Sequence, residues 1–75
     1  MKPELLQTVV LQRELADLGL RPGDLGTVVE IFEAGGIEVE FVTASGRTQA
    51  LATLLPSDVR AVGDRDLMAV RPVGI

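Results

Sequence analysis

Residues 28–42 read Val28-Val29-Glu30-Ile31-Phe32-Glu33-Ala34-Gly35-Gly36-Ile37-Glu38-Val39-Glu40-Phe41-Val42, and the fold turns on how this stretch doubles back on itself. In its second half Ile37, Val39 and Phe41 alternate with Glu38, Glu40 and Val42, the period of two that gives a strand one apolar face. In its first half Val29 and Ile31 alternate with Val28, Glu30 and Phe32. The glycines between the halves make a hairpin, and the loop length sets its register. A two-residue Gly35-Gly36 loop would place Ile31 against Glu40 and mix the faces. A three-residue Ala34-Gly35-Gly36 loop places Val29 against Phe41 and Ile31 against Val39, with either glycine supplying the positive φ such a loop needs. Since a one-residue slip turns every side chain to the other face, the three-residue register is expected. It leaves Glu30 opposite Glu40 and Glu38 opposite Phe32 on the outer face, beside Val28 and Val42.

Outward from the hairpin, Gly and Pro punctuate short runs of Val, Leu and Thr, the pattern of a compact all-β domain. Towards the N-terminus, Arg21-Pro22-Gly23-Asp24 predicts a type II turn, with Pro22 presetting φ and Gly23 taking the positive one. The turn leads into a strand from Leu25 to Glu33. Arg13 to Leu20 is a short turn or folded loop, and Leu5 to Leu11 is a first strand. Towards the C-terminus, Thr43-Ala44-Ser45-Gly46 turns the chain into a strand over 47–54. There Ala50 and Ala52 compete with Leu51 for the interior and leave the register open. Leu55-Pro56-Ser57-Asp58 reads as a 3₁₀ turn, Val59 to Val62 as a short strand, and Leu67 to Val70 as a final strand or extended tail. Residues 71–75 are expected to fray. Five or six short antiparallel strands with a 3₁₀ turn describe a small SH3-like barrel spanning 1–75 as one domain. An OB-fold is the alternative, though it usually carries a helix that this spacing lacks.

Composition narrows the chemistry. The 75 residues include no Cys, His, Trp or Tyr, which removes thiol catalysis, a Ser–His–Asp triad, a zinc finger and a disulfide framework. Apolar residues make up 47% of the chain, too many for disorder, yet no run approaches a membrane span. Nothing at the N-terminus reads as a secretory signal, so a cytoplasmic location is expected. A domain this short buries only about 60% of its unfolded surface and needs either a tightly packed Val, Leu and Ile core or a partner to cover it.

The segment Gly19-Leu20-Arg21-Pro22-Gly23-Asp24-Leu25-Gly26-Thr27-Val28-Val29-Glu30 resembles the opening of several SH3-like families, among them KOW modules, the nitrile hydratase β-subunit and photosystem I PsaE. A closer resemblance is to a bacterial family of small stand-alone proteins of unknown function. Thr8 to Leu11, Gly19 to Glu30, Glu38 to Phe41, Arg47 to Leu54 and Ser57 to Arg60 carry it. The resemblance implies the barrel fold and brings no enzymatic activity, cofactor or catalytic residue.

With 11 acidic against 7 basic residues the chain carries a net charge of −4. That sign, and the absence of Tyr and Trp, argues against nucleic acid, although Arg13, Arg21, Arg60 and Arg65 could still form a local cluster. Gly23-Asp24-Leu25-Gly26 lacks the Lys and the helix of a phosphate loop and is read as a turn. Ser45 and Ser57 have no base to activate them. What remains is a protein-contact patch of Glu30, Phe32, Glu38, Glu40 and Val42, an apolar centre with an acidic rim. Like charges opposed in the sheet would be relieved by a basic partner; two or three strand carboxylates fall short of a calcium site. The expected function is a non-enzymatic binding module, accessory, inhibitory or antitoxin-like, for a basic protein encoded nearby, with no cofactor or metal. An RNA-associated KOW-like module and a self-associating homodimer are the alternatives.

Overall fold

Short runs of Val, Thr and Leu, each stopped by a glycine or proline turn, favour extended backbone and form five antiparallel strands. In the computed structural model, which describes residues 1–74, these are β1 (Thr8–Leu11), β2 (Leu25–Ile31), β3 (Ile37–Val42), β4 (Thr48–Leu54) and β5 (Val59–Ala61). They join in one sheet in the order β4-β3-β2-β1-β5. Two single 3₁₀ turns, Ala16–Leu18 and Pro56–Asp58, are the only helical elements among the described residues. The chain is all-β, a small barrel-like sheet as the strand spacing implied. Val9, Leu11, Val28, Ile37 and Val39 are fully buried at its centre, ringed by Leu20, Phe41, Leu54 and Val59. The first strand begins at Thr8, because Leu5 and Leu6 form a turn. The expected strand at 67–70 does not form: Leu67, Met68 and Val70 stand exposed with no neighbouring strand to pair with.

The central hairpin has a three-residue loop, placed one residue earlier than the alternation suggested. The Phe32 N–H donates to the Gly36 carbonyl at 2.9 Å, and the Gly35 N–H donates to the Phe32 carbonyl at 2.9 Å. The loop is therefore Glu33-Ala34-Gly35, with Gly35 at φ 100. Ile31 pairs with Ile37 and Glu30 with Glu38; beyond them the ladder shifts, so that Val28 pairs with Val39 and Thr27 with Glu40. Val29 is the extra residue of a β-bulge. The expected pairs Val29–Phe41 and Ile31–Val39 do not occur. Val28, read as outward, is fully buried, while Ile31 sits at the rim with 43% of its surface exposed.

The reason lies at Gly26. A Cβ on this residue would lie 2.5 Å from Cγ1 of Val39 and 2.9 Å from the Phe41 ring, so the backbone here approaches the core more closely than a side chain permits. Gly26 thus faces inward, and by alternation so does Val28. At the other end Ile31 must face inward to meet Ile37. Val28 and Ile31 are three positions apart, an odd number, and only an inserted residue brings both to one face.

The β3–β4 turn repeats the same device. Thr43 donates its N–H to the Arg47 carbonyl at 2.9 Å, and Gly46 takes φ 85. The ladder then pairs Phe41 with Ala50, Val39 with Ala52 and Ile37 with Leu54. Small residues of β4 lie across from Phe41 and Val39, and Leu51 is turned outward with 55% of its surface exposed. Alanines at these positions leave room for the larger Phe41 and Val39 without overpacking the interior.

Two substitutions separate this register from the one expected. Val28→Ala should cost about 2 kcal/mol in denaturant unfolding, and Ile31→Ala less than about 1 kcal/mol. The expected register would reverse that order. Gly26→Ala should cost about 1–3 kcal/mol, because Val39 and Phe41 must move to admit one methyl group.

Candidate functional site

The bulge and the two turns compose the outer face of β2, β3 and β4. One row across it reads Thr27–Glu40–Leu51, the next Glu30–Glu38–Thr53, and Val42–Thr48 lies towards the β3–β4 turn. Four of the expected patch residues, Glu30, Glu38, Glu40 and Val42, share this face. Phe32 lies at its end, half-buried beside Gly36 in the hairpin loop. The pairings within the patch differ from those read in the sequence. Glu30 faces Glu38 rather than Glu40, and Glu38 faces no Phe32. Val28 leaves the face altogether.

Opposed carboxylates on paired strands repel by a few tenths up to about 1 kcal/mol. No cation offsets this: the ion pairs among the described residues are Arg13–Asp58, Arg60–Asp66 and Arg71–Asp24, none on the face. Glu40 is better placed, its Oε2 accepting the Thr48 hydroxyl at 2.5 Å. The apolar component is Val42, 47% exposed, together with Leu51, which sequence reasoning left undecided. The signal that could have placed Leu51 was size: alanines at 50 and 52 leave room for Phe41 and Val39, and only the intervening leucine can point away. Of the four arginines that could cluster, Arg13 and Arg60 are each paired with an aspartate.

At the Val42 end of the face an open groove of about 500 Å³ runs between the β3–β4 turn and residues 69–73. Val42, Thr43 and Gln49 line one side; Arg71 and Val73 line the other.

Residues 5–61, which hold all five strands, match a family described as a domain of unknown function, DUF4926. The chain belongs to the DUF4926 family. No curated protein and no solved structure matches it. No helix among the described residues is long and apolar enough to cross a membrane.

The DUF4926 match stops at the end of β5, and the C-terminal segment beyond that strand is tied back to the sheet. The Arg71 guanidinium donates from Nε to Oδ1 of Asp24 at 2.8 Å, from Nη2 to Oδ2 of the same carboxylate, and from Nη2 to the Gly19 carbonyl at 2.9 Å. This bidentate clamp engages Arg71, the first residue of the stretch expected to fray; Ile75 lies outside the described residues. No local pattern reveals a contact between positions so far apart. Asp24 also accepts the Arg21 N–H at 2.8 Å, so the residue that closes the Pro22-Gly23 turn also anchors the tail.

Partial burial pushes the Asp24 carboxyl up, but the hydrogen bonds from Arg71 and the Arg21 N–H, with both guanidinium charges, outweigh it and hold it below its ordinary value. Asp66 is held at about 2 by Arg60 and the Gly63 N–H. Both folded-state values lie below the unfolded one. The stability these groups add is therefore present above the unfolded value of 3.8 and is lost as pH falls below it, for Asp66 through about 2. Thermal melts between about pH 5 and pH 2 should show this loss. Arg71→Gln should flatten the part due to Asp24 and speed amide exchange at 69–74, while the strands stay protected.

Proposed function

We propose that this DUF4926 domain is a non-enzymatic binding module that holds a basic segment of another protein against the outer face of β2–β4. Glu30 and Glu38 supply the charge, Glu40 the edge of the acidic rim, and Val42 and Leu51 the apolar contact. The observation that supports this most is Glu30 set directly against Glu38 without a cation from the chain's own described residues. A lysine or arginine from a partner converts that repulsion into attraction and adds charge-assisted hydrogen bonds. A nucleic-acid role draws less support, since three of the six arginines are committed to aspartates. The chemistry suits an accessory, inhibitory or neutralising subunit for a basic protein.

The test separates binding from stability. In Glu30→Gln/Glu38→Gln the repulsion is gone, so unfolding should become harder by a few tenths up to about 1 kcal/mol. The same variant should bind a Lys- and Arg-rich peptide containing one Leu about five-fold or more weakly than the parent, with a shallower dependence on salt. Equal binding by both, followed by fluorescence anisotropy, would count against this face. Affinity capture with parent and variant as bait should likewise return a basic protein with the parent only.

A further inference from the structure

Beyond residue 66 the chain is held to the body of the domain by one side chain. Residues 67–74 pair with no strand, and Leu67, Met68 and Val70 stand exposed. Among the described residues, every hydrogen bond that ties this segment to the rest comes from the Arg71 guanidinium. The groups that accept it are fixed without it. The Gly19 carbonyl belongs to the peptide whose N–H, that of Leu20, donates to the Leu15 carbonyl at 3.1 Å. Asp24 is pinned through its main chain, its N–H donating to the Arg21 carbonyl at 3.1 Å and its carbonyl accepting the Leu11 N–H at 2.9 Å. Its Oδ2 also accepts the Arg21 N–H at 2.8 Å, whereas Oδ1 has Arg71 Nε as its one donor among the described residues. The carboxylate and the carbonyl therefore stand ready for a guanidinium before the tail arrives, and such preorganisation favours binding.

We infer that Asp24 and the Gly19 carbonyl form an arginine-accepting site, with Arg71 as its resident occupant, and that an arginine in an extended segment of another protein displaces it. The occupant's chemistry is read from the segment already seated there. Ala69-Val70-Arg71-Pro72-Val73 places one positive charge among uncharged residues, and the Asp24 side chain that receives it is 17% exposed. A guanidinium donates to both carboxylate oxygens and still reaches a third acceptor, which the ammonium of lysine matches poorly. Gly19 and Asp24 lie inside the residues matched by the DUF4926 family, while Arg71 lies outside them. Displacement uncovers little, since the large apolar side chains at 67–70 are already in water. An incoming segment also reaches Val42, Thr43 and Gln49 across the open groove, a wall that gives it an advantage over the tail. A resident occupant weakens the apparent affinity by the fraction of time it leaves the site free, about ten-fold for a latch closed about nine-tenths of the time. The site is separate from the acidic face of β2–β4 and does not rest on that face having a partner.

Titration followed by nuclear magnetic resonance tests it, with the end-blocked peptide of residues 67–74 as the probe. Arg71→Ala empties the site, and the peptide should bind this variant at about 1 mM, the effective concentration that a short tether supplies. The amide signals of Leu20 and Asp24 should move. The parent chain, whose own arginine competes, should bind about ten-fold more weakly, so that ~5 mM peptide gives about one third of the full shift. Citrulline in place of the peptide's arginine should abolish binding, and lysine should weaken it about five-fold or more. Adding Glu30→Gln/Glu38→Gln to Arg71→Ala should leave the affinity unchanged, which separates this site from the acidic face. Absence of any shift at Leu20 and Asp24, in the variant or in the parent, would overturn the inference. So would a lysine or citrulline peptide that binds as well, a parent that binds as tightly as Arg71→Ala, or an affinity that falls with Glu30 and Glu38.

Discussion

The close approach of Gly26 to Val39 and Phe41 governs the rest of the molecule. A backbone that leaves no space for a methyl group lets β2 lie against the core, and this sets which β2 residues face inward. Val28 takes its inward place by alternation. The Glu33–Gly35 loop imposes a second demand, that Ile31 face Ile37. These two phases disagree by one residue, and the Val29 bulge reconciles them. Bulges also raise local twist and bend the strand, which helps five short strands wrap around so few buried side chains.

That reconciliation shapes the outer face. Without the extra residue Val28 would stand outside, and Thr27 and Glu40 would lose their pairing. On the loop side of it, the Glu33–Gly35 loop sets Glu30 directly against Glu38, an arrangement that costs stability and gains nothing within the chain. An unfavourable pair kept on a surface beside exposed Val42 and Leu51 has the chemistry of a contact site. The Arg71–Asp24 clamp adds a boundary, fixing residues 69–73 alongside the Val42 end and confining the groove between them.

The two sheet edges set the face in context. β5 is short, charged and capped by Gln12, whereas β4 is longer and uncharged and is interrupted by a bulge at Gln49, with the acidic rows beginning one strand away. A basic segment laid on the outer face would cover Leu51 together with the neighbouring acidic rows. A small core with little surplus stability makes such covering useful, since each covered group adds to a narrow margin.

Much was legible in the residues alone. The alternation of Ile37, Val39 and Phe41 with Glu38 and Glu40 sufficed to make β3 a strand with its aromatic inside. The turn chemistry of Pro22-Gly23, Gly35 and Gly46, and the Pro56 3₁₀ turn, was equally local. So were the sign of the charge and the absence of His and Cys, which bound the possible chemistry. The pairing of β2 was not legible, because two acceptable periodicities meet within it and only contact with β3 decides between them. The face of Leu51 was not legible either, since it depends on the sizes of Phe41 and Val39 across the ladder. Asp24 and Arg71 carried no mutual signal at all. Local sequence determines whether a segment is extended and where it turns, because those choices rest on φ, ψ and nearest neighbours. Which face is buried and which carboxylates meet were decided by tertiary structure, because each is a property of two segments brought together.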